Sequence, residues 1–279
     1  MGRTENAAIF RETAQLCKTD DQLKAAIREA NLRQEMIPGG QPYELTVQPG
    51  NISAQIIVSR KRTLEAAESY SRAGKRVCVL NFASASNPGG GVVNGASAQE
   101  EAICRCSTLY SSLIQPELWD SFYAPHREQA DPLHNDDCIY TTGVVVFRTD
   151  TDSPRVMPRE NWYNVDVLTC AAPNLRNVPT NRMNYDGDTP AEIDGAGLRA
   201  LHEKRMRRIL SIAAEKENEV LILGAFGCGA FRNPPEIVAE AAKTAVGEYL
   251  RYFSTIEFAV YCPPGNDANY RVFEKTFRK

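Results

Sequence analysis

Short apolar runs alternate with amphipathic stretches along this chain, and their spacing predicts strands alternating with helices. Val77-Cys78-Val79-Leu80-Asn81-Phe82-Ala83 reads as a buried strand, being short, β-branched and bounded by small polar residues. Cys138 to Phe147, Trp162 to Cys170, Glu219 to Leu223 and Thr255 to Cys262 read the same way. Glu44 to Val47 and Gln55 to Ser59 are shorter candidates, separated by the turn composition Pro49-Gly50-Asn51. Helical spacing covers residues 3–17 and 20–35, broken at Thr19-Asp20, where Asp20 or Asp21 supplies a cap, and ended by Pro38-Gly39-Gly40. It recurs from Thr63 to Arg72, closed by Gly74, from about Ala98 onward, over Pro116 to Tyr123, from Ala191 to Glu215, and from Asp267 to Phe277. A further helix starts at Asn233-Pro234-Pro235-Glu236, with Asn233 as cap and a carboxylate three residues on. In the helix from Ala98, the residues Ala98, Ala102, Cys106, Leu109 and Leu113 share the face that packs on a sheet, and Glu100 and Glu101 lie off it. This alternation predicts a three-layer α/β fold with a mixed, partly parallel sheet, preceded by an N-terminal helical extension over residues 1–40. With no repeat and no linker, one domain spanning 1–279 is expected.

Composition narrows the function classes. The formal net charge of -3 supplies no global basic field, so neither nucleic acid nor a membrane surface is an expected partner. The N-terminus lacks the apolar core of a signal peptide, and no apolar run is long enough to span a bilayer. The eight cysteines contain no CxxC, which favours neither a disulfide framework nor a zinc site and suits a reducing cytoplasm. His126, His134 and His202 lack metal-ligand spacing, so they read as structural or exposed, and no metal or cofactor is expected. The Lys204-Arg205-Arg207-Arg208 cluster reads as a solvated helix face, with a polymer-binding strip as the sharper alternative.

The chemistry concentrates in two glycine-rich loops, each between a strand and a helix start. In Asn87-Pro88-Gly89-Gly90-Gly91-Val92-Val93-Asn94-Gly95-Ala96-Ser97-Ala98-Gln99-Glu100-Glu101, three glycines let the backbone take positive φ and approach a ligand closely. Ser97 three residues before Glu100 forms a capping-box pattern, which puts both acids in the first helical turn. The second loop is Gly224-Ala225-Phe226-Gly227-Cys228-Gly229-Ala230-Phe231-Arg232. Helix starts favour anions, so two such units suit a ligand with a central diphosphate. Neither loop is a GxGxxG fingerprint in context, and GxxxxGK[ST] is absent, so hydride transfer and nucleotide hydrolysis are not supported. The segment 174–190, with four Asn, Gly187 and two Pro, is a long irregular stretch of the kind that often carries function.

Gly89-Gly90-Gly91, seven residues, then Gln99-Glu100-Glu101 resembles the GGG…QEE motif of bacterial-type poly(ADP-ribose) glycohydrolases, a branch of the macrodomain fold. The second loop, followed by Asn233-Pro234-Pro235, resembles that family's diphosphate-binding loop, and the resemblance extends over almost the whole chain. It implies a macrodomain-like fold and metal-independent release of ADP-ribose from poly(ADP-ribose), with ADP-ribosylated proteins as related substrates and the chain acting as a monomer. By position it implies Glu101 as catalytic acid, with Glu100 orienting ribose hydroxyls and Gln99 among the substrate-binding residues. Asn87 would contact the distal ribose, Gly89 to Gly91 the ribose and diphosphate, Gly227, Cys228, Gly229 and Ala230 the diphosphate, and Phe231 the distal ribose.

Plainer readings stand beside several of these. Capping alone accounts for Glu100, a turn before proline accounts for Asn87, core packing for Phe231, and a small packed residue for Cys228. At the level of function, a mono-ADP-ribosyl or O-acyl-ADP-ribose hydrolase would use the same pocket. A non-catalytic ADP-ribose reader would need the glycines but no acid.

Overall fold

The computed structural model describes residues 2–278. Its centre is a seven-stranded sheet in the order β1-β4-β5-β3-β6-β7-β2. The strands are β1 (Glu35–Ile37), β2 (Gln55–Ser59), β3 (Val77–Ala83), β4 (Cys138–Val146), β5 (Tyr163–Ala171), β6 (Val220–Leu223) and β7 (Thr255–Ala259). From β5 through β3, β6 and β7 to β2 the pairing is parallel, whereas β4 and β1 are antiparallel additions on one edge. Strand β3 lies in the middle, which is why its sequence is a continuous apolar run. Its even positions Cys78 and Leu80 join the core on one face, and its odd positions Val77 and Val79 join the core on the other.

Helices close both faces and complete the expected three layers. On the first lie α8 (Gly195–Glu215), α9 (Pro235–Tyr249) and α10 (Ala268–Phe277), contributing Ile209, Val238 and Phe273 to the core. On the second lie α1 (Arg3–Thr19), α3 (Thr63–Arg72), α4 (Gln99–Cys106) and α5 (Leu109–Leu113), contributing Phe10, Leu64, Ile103 and Leu109. Helix α2 (Asp21–Leu32) is capped by Asp20, whose carboxylate accepts from Leu23 N at 3.1 Å. The stretch after Pro116 is longer than expected: α6 (Pro116–Leu118) runs through a π turn over Trp119–Tyr123 into α7 (Ala124–Gln129). Among the described residues no helix is long and apolar enough to cross a membrane.

Several local expectations are corrected. Helix α2 stops at Leu32, and residues 35–37 pair with β4 as an edge strand. Glu44 to Val47 is not a strand, because the N–H groups of Thr46 and Val47 donate to the Glu215 carboxylate instead of to a neighbouring strand. The helix from Ala98 ends at Cys106, since Ser107 turns extended and Thr108 N donates to Val145 O of the adjoining strand. Helix α8 begins at Gly195, capped by Asp194, and not at Ala191. The basic cluster on α8 is only half a solvated face: Lys204 is exposed and Arg207 partly so, but the other two arginines point inward. Arg205 is fully buried, donating to Asp136 and to the carbonyls of Leu133, His134 and Ala171, and buried Arg208 donates to the carbonyls of residues 37, 38 and 41.

Candidate active site

Both glycine loops leave the C-terminal ends of adjacent parallel strands, the first from β3 and the second from β6. This is where open α/β sheets place their ligands. Between the loops lies a cavity of about 450 Å³, a size that suits a small organic ligand. Gln99, Glu100, Glu101, Gly227, Gly229, Ala230 and Phe231 line it, all singled out in the sequence.

The acids are held differently from what a capping box would require. Helix α4 has Ala98 at its cap position and no side-chain cap bond, so Ser97 does not serve Glu100. Glu100 is turned inward and is 3% exposed, and it accepts from Ser84 N at 2.8 Å and from Asn81 Nδ2 at 3.2 Å. Burial, reinforced by the neighbouring Glu101 charge, pushes Glu100 up to about 8 against these hydrogen bonds. Glu100 therefore holds its proton to a higher pH than an exposed glutamate does. Gln99 fastens the same turn to the sheet, accepting from Phe82 N at 2.9 Å and donating to Leu80 O at 2.7 Å and Thr63 Oγ1 at 3.0 Å.

Glu101 is 8% exposed and lies against the glycine loop. Its Oε1 accepts from Gly91 N at 2.9 Å, and its Oε2 is buried with no hydrogen-bond partner. Gly90, at φ +57°, has no room for a side chain: a Cβ there would lie 2.6 Å from Glu101 Oε1 and 3.1 Å from Glu100 Oε2. The loop is thus shaped around the two carboxylates, and Gly89, Gly90 and Gly91 are not among the cavity-lining residues. Asn87 also stands off the cavity, its amide donating back to Gly90 O within the turn.

The second loop is pinned from behind. Asn233 is not the cap of α9, a position taken by Pro234. Its side chain instead donates to Pro173 O at 2.7 Å and Gly227 O at 3.1 Å, while its Oδ1 accepts from His202 Nε2 at 2.8 Å. Burial lowers His202 to about 4, so the ring is neutral and its Nε2 carries the hydrogen for this bond. Gly227, at φ +75°, lets the chain pass over Asn233, because a Cβ there would meet Asn233 Nδ2 at 2.6 Å. Phe231 forms part of the cavity wall, its ring 5.9 Å from that of His134 and 5.7 Å from the Arg176 guanidinium. Cys228 faces away from the cavity, and burial raises its thiol.

The structure adds wall residues that no motif marks. Arg62, Thr63, Asp150, Tyr261 and Asn269 form one end of the cavity, with the Arg62 guanidinium 3.8 Å over the Tyr261 ring. Asn184 enters from the long irregular segment, and its buried Oδ1 has no partner. The only sequence signal for it was the length and composition of residues 174–190.

A parallel-sheet α/β domain with two glycine loops and a buried, half-paired carboxylate between them defines a macrodomain-like glycosidase centre. Residues 7–149 match the family model described as the microbial-type PARG catalytic domain. Among solved structures, poly(ADP-ribose) glycohydrolase from Thermomonospora curvata matches with a TM-score of 0.82 at 30% identity, covering 98% of this chain and 99% of that one. The same enzyme bound to the inhibitor ADP-HPD gives 0.81 at 30% identity, with coverage of 98% and 99%. Poly(ADP-ribose) glycohydrolase from Deinococcus radiodurans in complex with ADP-ribose gives 0.74 at 29% identity over 90% of this chain and 97% of that one. Comparison with curated proteins finds no match. This chain belongs to the family of microbial-type poly(ADP-ribose) glycohydrolase catalytic domains.

Proposed function

We propose that this chain hydrolyses the ribose–ribose O-glycosidic bonds of poly(ADP-ribose), releasing ADP-ribose, with Glu101 as the group that gives and then takes the proton. The observation that carries the role of Glu101 is its carboxylate, fixed at one oxygen by Gly91 N–H and unpaired at the other on the cavity wall. Cleavage at a ribosyl carbon passes through an oxocarbenium-like state, so the leaving oxygen needs a proton and the attacking water must lose one. A carboxyl group with one anchored oxygen keeps the other available for both steps. Glu101 enters the first step protonated and leaves it as the carboxylate that then takes the proton of the attacking water, and the fixed position of Glu100 beside it suits that residue to orient a ribose hydroxyl. The diphosphate would lie against Gly227, Gly229 and Ala230 of the second loop, which line the cavity and precede the start of α9, as anions favour glycine-rich backbone of this kind. Phe231 forms an apolar wall for the distal ribose. Gln99, with both ends of its amide used on protein groups, positions the acids rather than binding substrate. On this reading residues 1–279 form one domain that acts as a monomer in the cytoplasm, a setting that suits its eight free cysteines.

The test is release of ADP-ribose from purified polymer by wild-type protein and by Glu101→Gln, alongside ADP-ribose binding by calorimetry. The variant is expected to lose at least about 100-fold in rate, the scale of a lost general acid, while binding persists. A variant that still turns over polymer at the wild-type rate would exclude Glu101 as the acid.

A further inference from the structure

Outside the cavity, beside Ser86 at the start of the first glycine loop, lies a cluster that the reaction at Glu101 does not use. Trp119 is 41% exposed and Tyr185 is 40% exposed, both large for rings with no place in the core. The Arg127 guanidinium sits between them, 5.7 Å from the Trp119 ring and 5.6 Å from the Tyr185 ring. Arg127 donates to Ser86 O at 3.2 Å, and among the described residues no carboxylate forms an ion pair with it. Trp119 is braced by stacking on buried Tyr123, with ring centroids 6.4 Å apart.

This cluster is tied to the reaction centre through two short connections. Ser86, whose carbonyl takes the Arg127 hydrogen bond, directly precedes the turn that carries Gly90 and Gly91 and so holds Glu101. Ser86 Oγ accepts from Tyr185 N at 2.8 Å and donates to Asp186 Oδ1 at 3.0 Å, which locks the segment bearing Tyr185 onto the glycine loop. Asn184, next to Tyr185, faces the cavity, and the Met183 side chain comes within 3.2 Å of where a Gly91 Cβ would be. The segment bearing Tyr185 therefore connects the cluster both to the cavity wall, through Asn184, and to the turn that holds Glu101, through Ser86 and Met183.

We infer that Trp119, Arg127 and Tyr185 form a subsite for the second ADP-ribosyl unit of the polymer, the one attached through the oxygen that Glu101 protonates. The inference rests on the glycohydrolase reading, since it takes the cavity as the seat of the terminal unit. What leaves the cavity past Glu101 is then an adenosine diphosphate group, with a flat base and two negative charges. Exposed aromatic faces with an unpaired arginine between them match that chemistry, as they do in proteins that hold single-stranded nucleic acid.

The experiment uses full-length Glu101→Gln protein and compares calorimetric affinities for ADP-ribose and for a fragment of two ADP-ribosyl units. The two-unit fragment is expected to bind at least about 5-fold more tightly. Trp119→Ala and Tyr185→Ala should each weaken the two-unit fragment by roughly 5- to 100-fold, the range for loss of one base stack, and leave ADP-ribose affinity unchanged. Trp119→Phe and Tyr185→Phe should restore most of the difference, and Arg127→Gln should flatten its salt dependence. Equal affinity for the two ligands, or alanine variants that weaken both ligands alike, would overturn the subsite. Failure of the enzymatic reading shows separately, as wild-type protein that releases no ADP-ribose from polymer, while the affinity ratio still judges the subsite.

Discussion

Replacing Glu100 by Gln tests the central electrostatic claim about the site, that this carboxyl is held neutral by burial and by its neighbour. Its folded-state value of about 8 lies above the ordinary value of 4.5, so between these limits the native state holds a proton that the unfolded chain has released. Stability from this group is fully present below pH 4.5 and is lost as pH rises through about 8. At about 1.4 kcal/mol per pH unit, the span corresponds to at most about 5 kcal/mol across that window. Glutamine keeps an oxygen for Ser84 N, and its N–H groups, which face Asn81 Nδ2, find an acceptor once the Asn81 amide turns over to present its unpartnered Oδ1. It cannot ionise. Urea unfolding of both proteins at pH 5, 7 and 9 should therefore show the variant gaining on wild type as pH rises, by several kcal/mol in total. That gap corresponds to a melting difference on the order of 10 °C. Parallel stability curves over this range would refute the burial argument, and with it the claim that the Glu100 carboxyl is held above its ordinary value.

Two other substitutions test how the site is held. Gly90→Ala places a methyl group 2.6 Å from Glu101 Oε1 at a φ of +57°. It should cost about 1–2 kcal/mol in stability and about 100-fold in turnover through displacement of the carboxylate, measured by thermal melting and by steady-state rate. An unchanged rate would show that the loop yields. Arg205→Met leaves buried Asp136 without one of its two cationic partners and three carbonyls without a donor. Loss of about 3–5 kcal/mol in chemical denaturation is expected, and a loss within error would contradict the buried role assigned to this arginine.

Much of the fold was legible because period and burial agree in this chain. Strand β3, helix α3 and the parallel centre follow from apolar runs that pack on both faces, and Thr63 to Arg72 was found to the residue. What failed were elements decided by partners distant in sequence. Residues 35–37 carry no strand pattern of their own and pair only because β4 presents an open edge. Thr46 and Val47 do look like a strand but spend their N–H groups on Glu215, 169 and 168 positions away. Arg205 reads as surface charge until Asp136 is brought beneath it, which no periodicity could reveal. The site divides along the same line. The two loops and the acid pair sit in contiguous motifs, whereas Asn184, Tyr261 and Asn269 reach the cavity from segments whose placement depends on the whole fold.

The glycines show that one motif can answer a second physical demand besides ligand approach. Three glycines before two acids suggest a backbone cleared for a ligand, yet a side chain at Gly90 would strike Glu101 before any ligand arrived. At Gly91, the alternative of a bulky residue is excluded by Ala96 at 2.8 Å and Met183 at 3.2 Å from the missing Cβ. At both positions the protein itself thus imposes a steric demand for glycine. It follows that the spacing from Gly91 to Glu101 matters more than the number of glycines, since the loop must return its N–H to the carboxylate across the intervening turn. A chain with the glycines but a longer turn would keep the cavity and lose the half-paired carboxylate, and in that respect it would resemble a binder rather than a hydrolase.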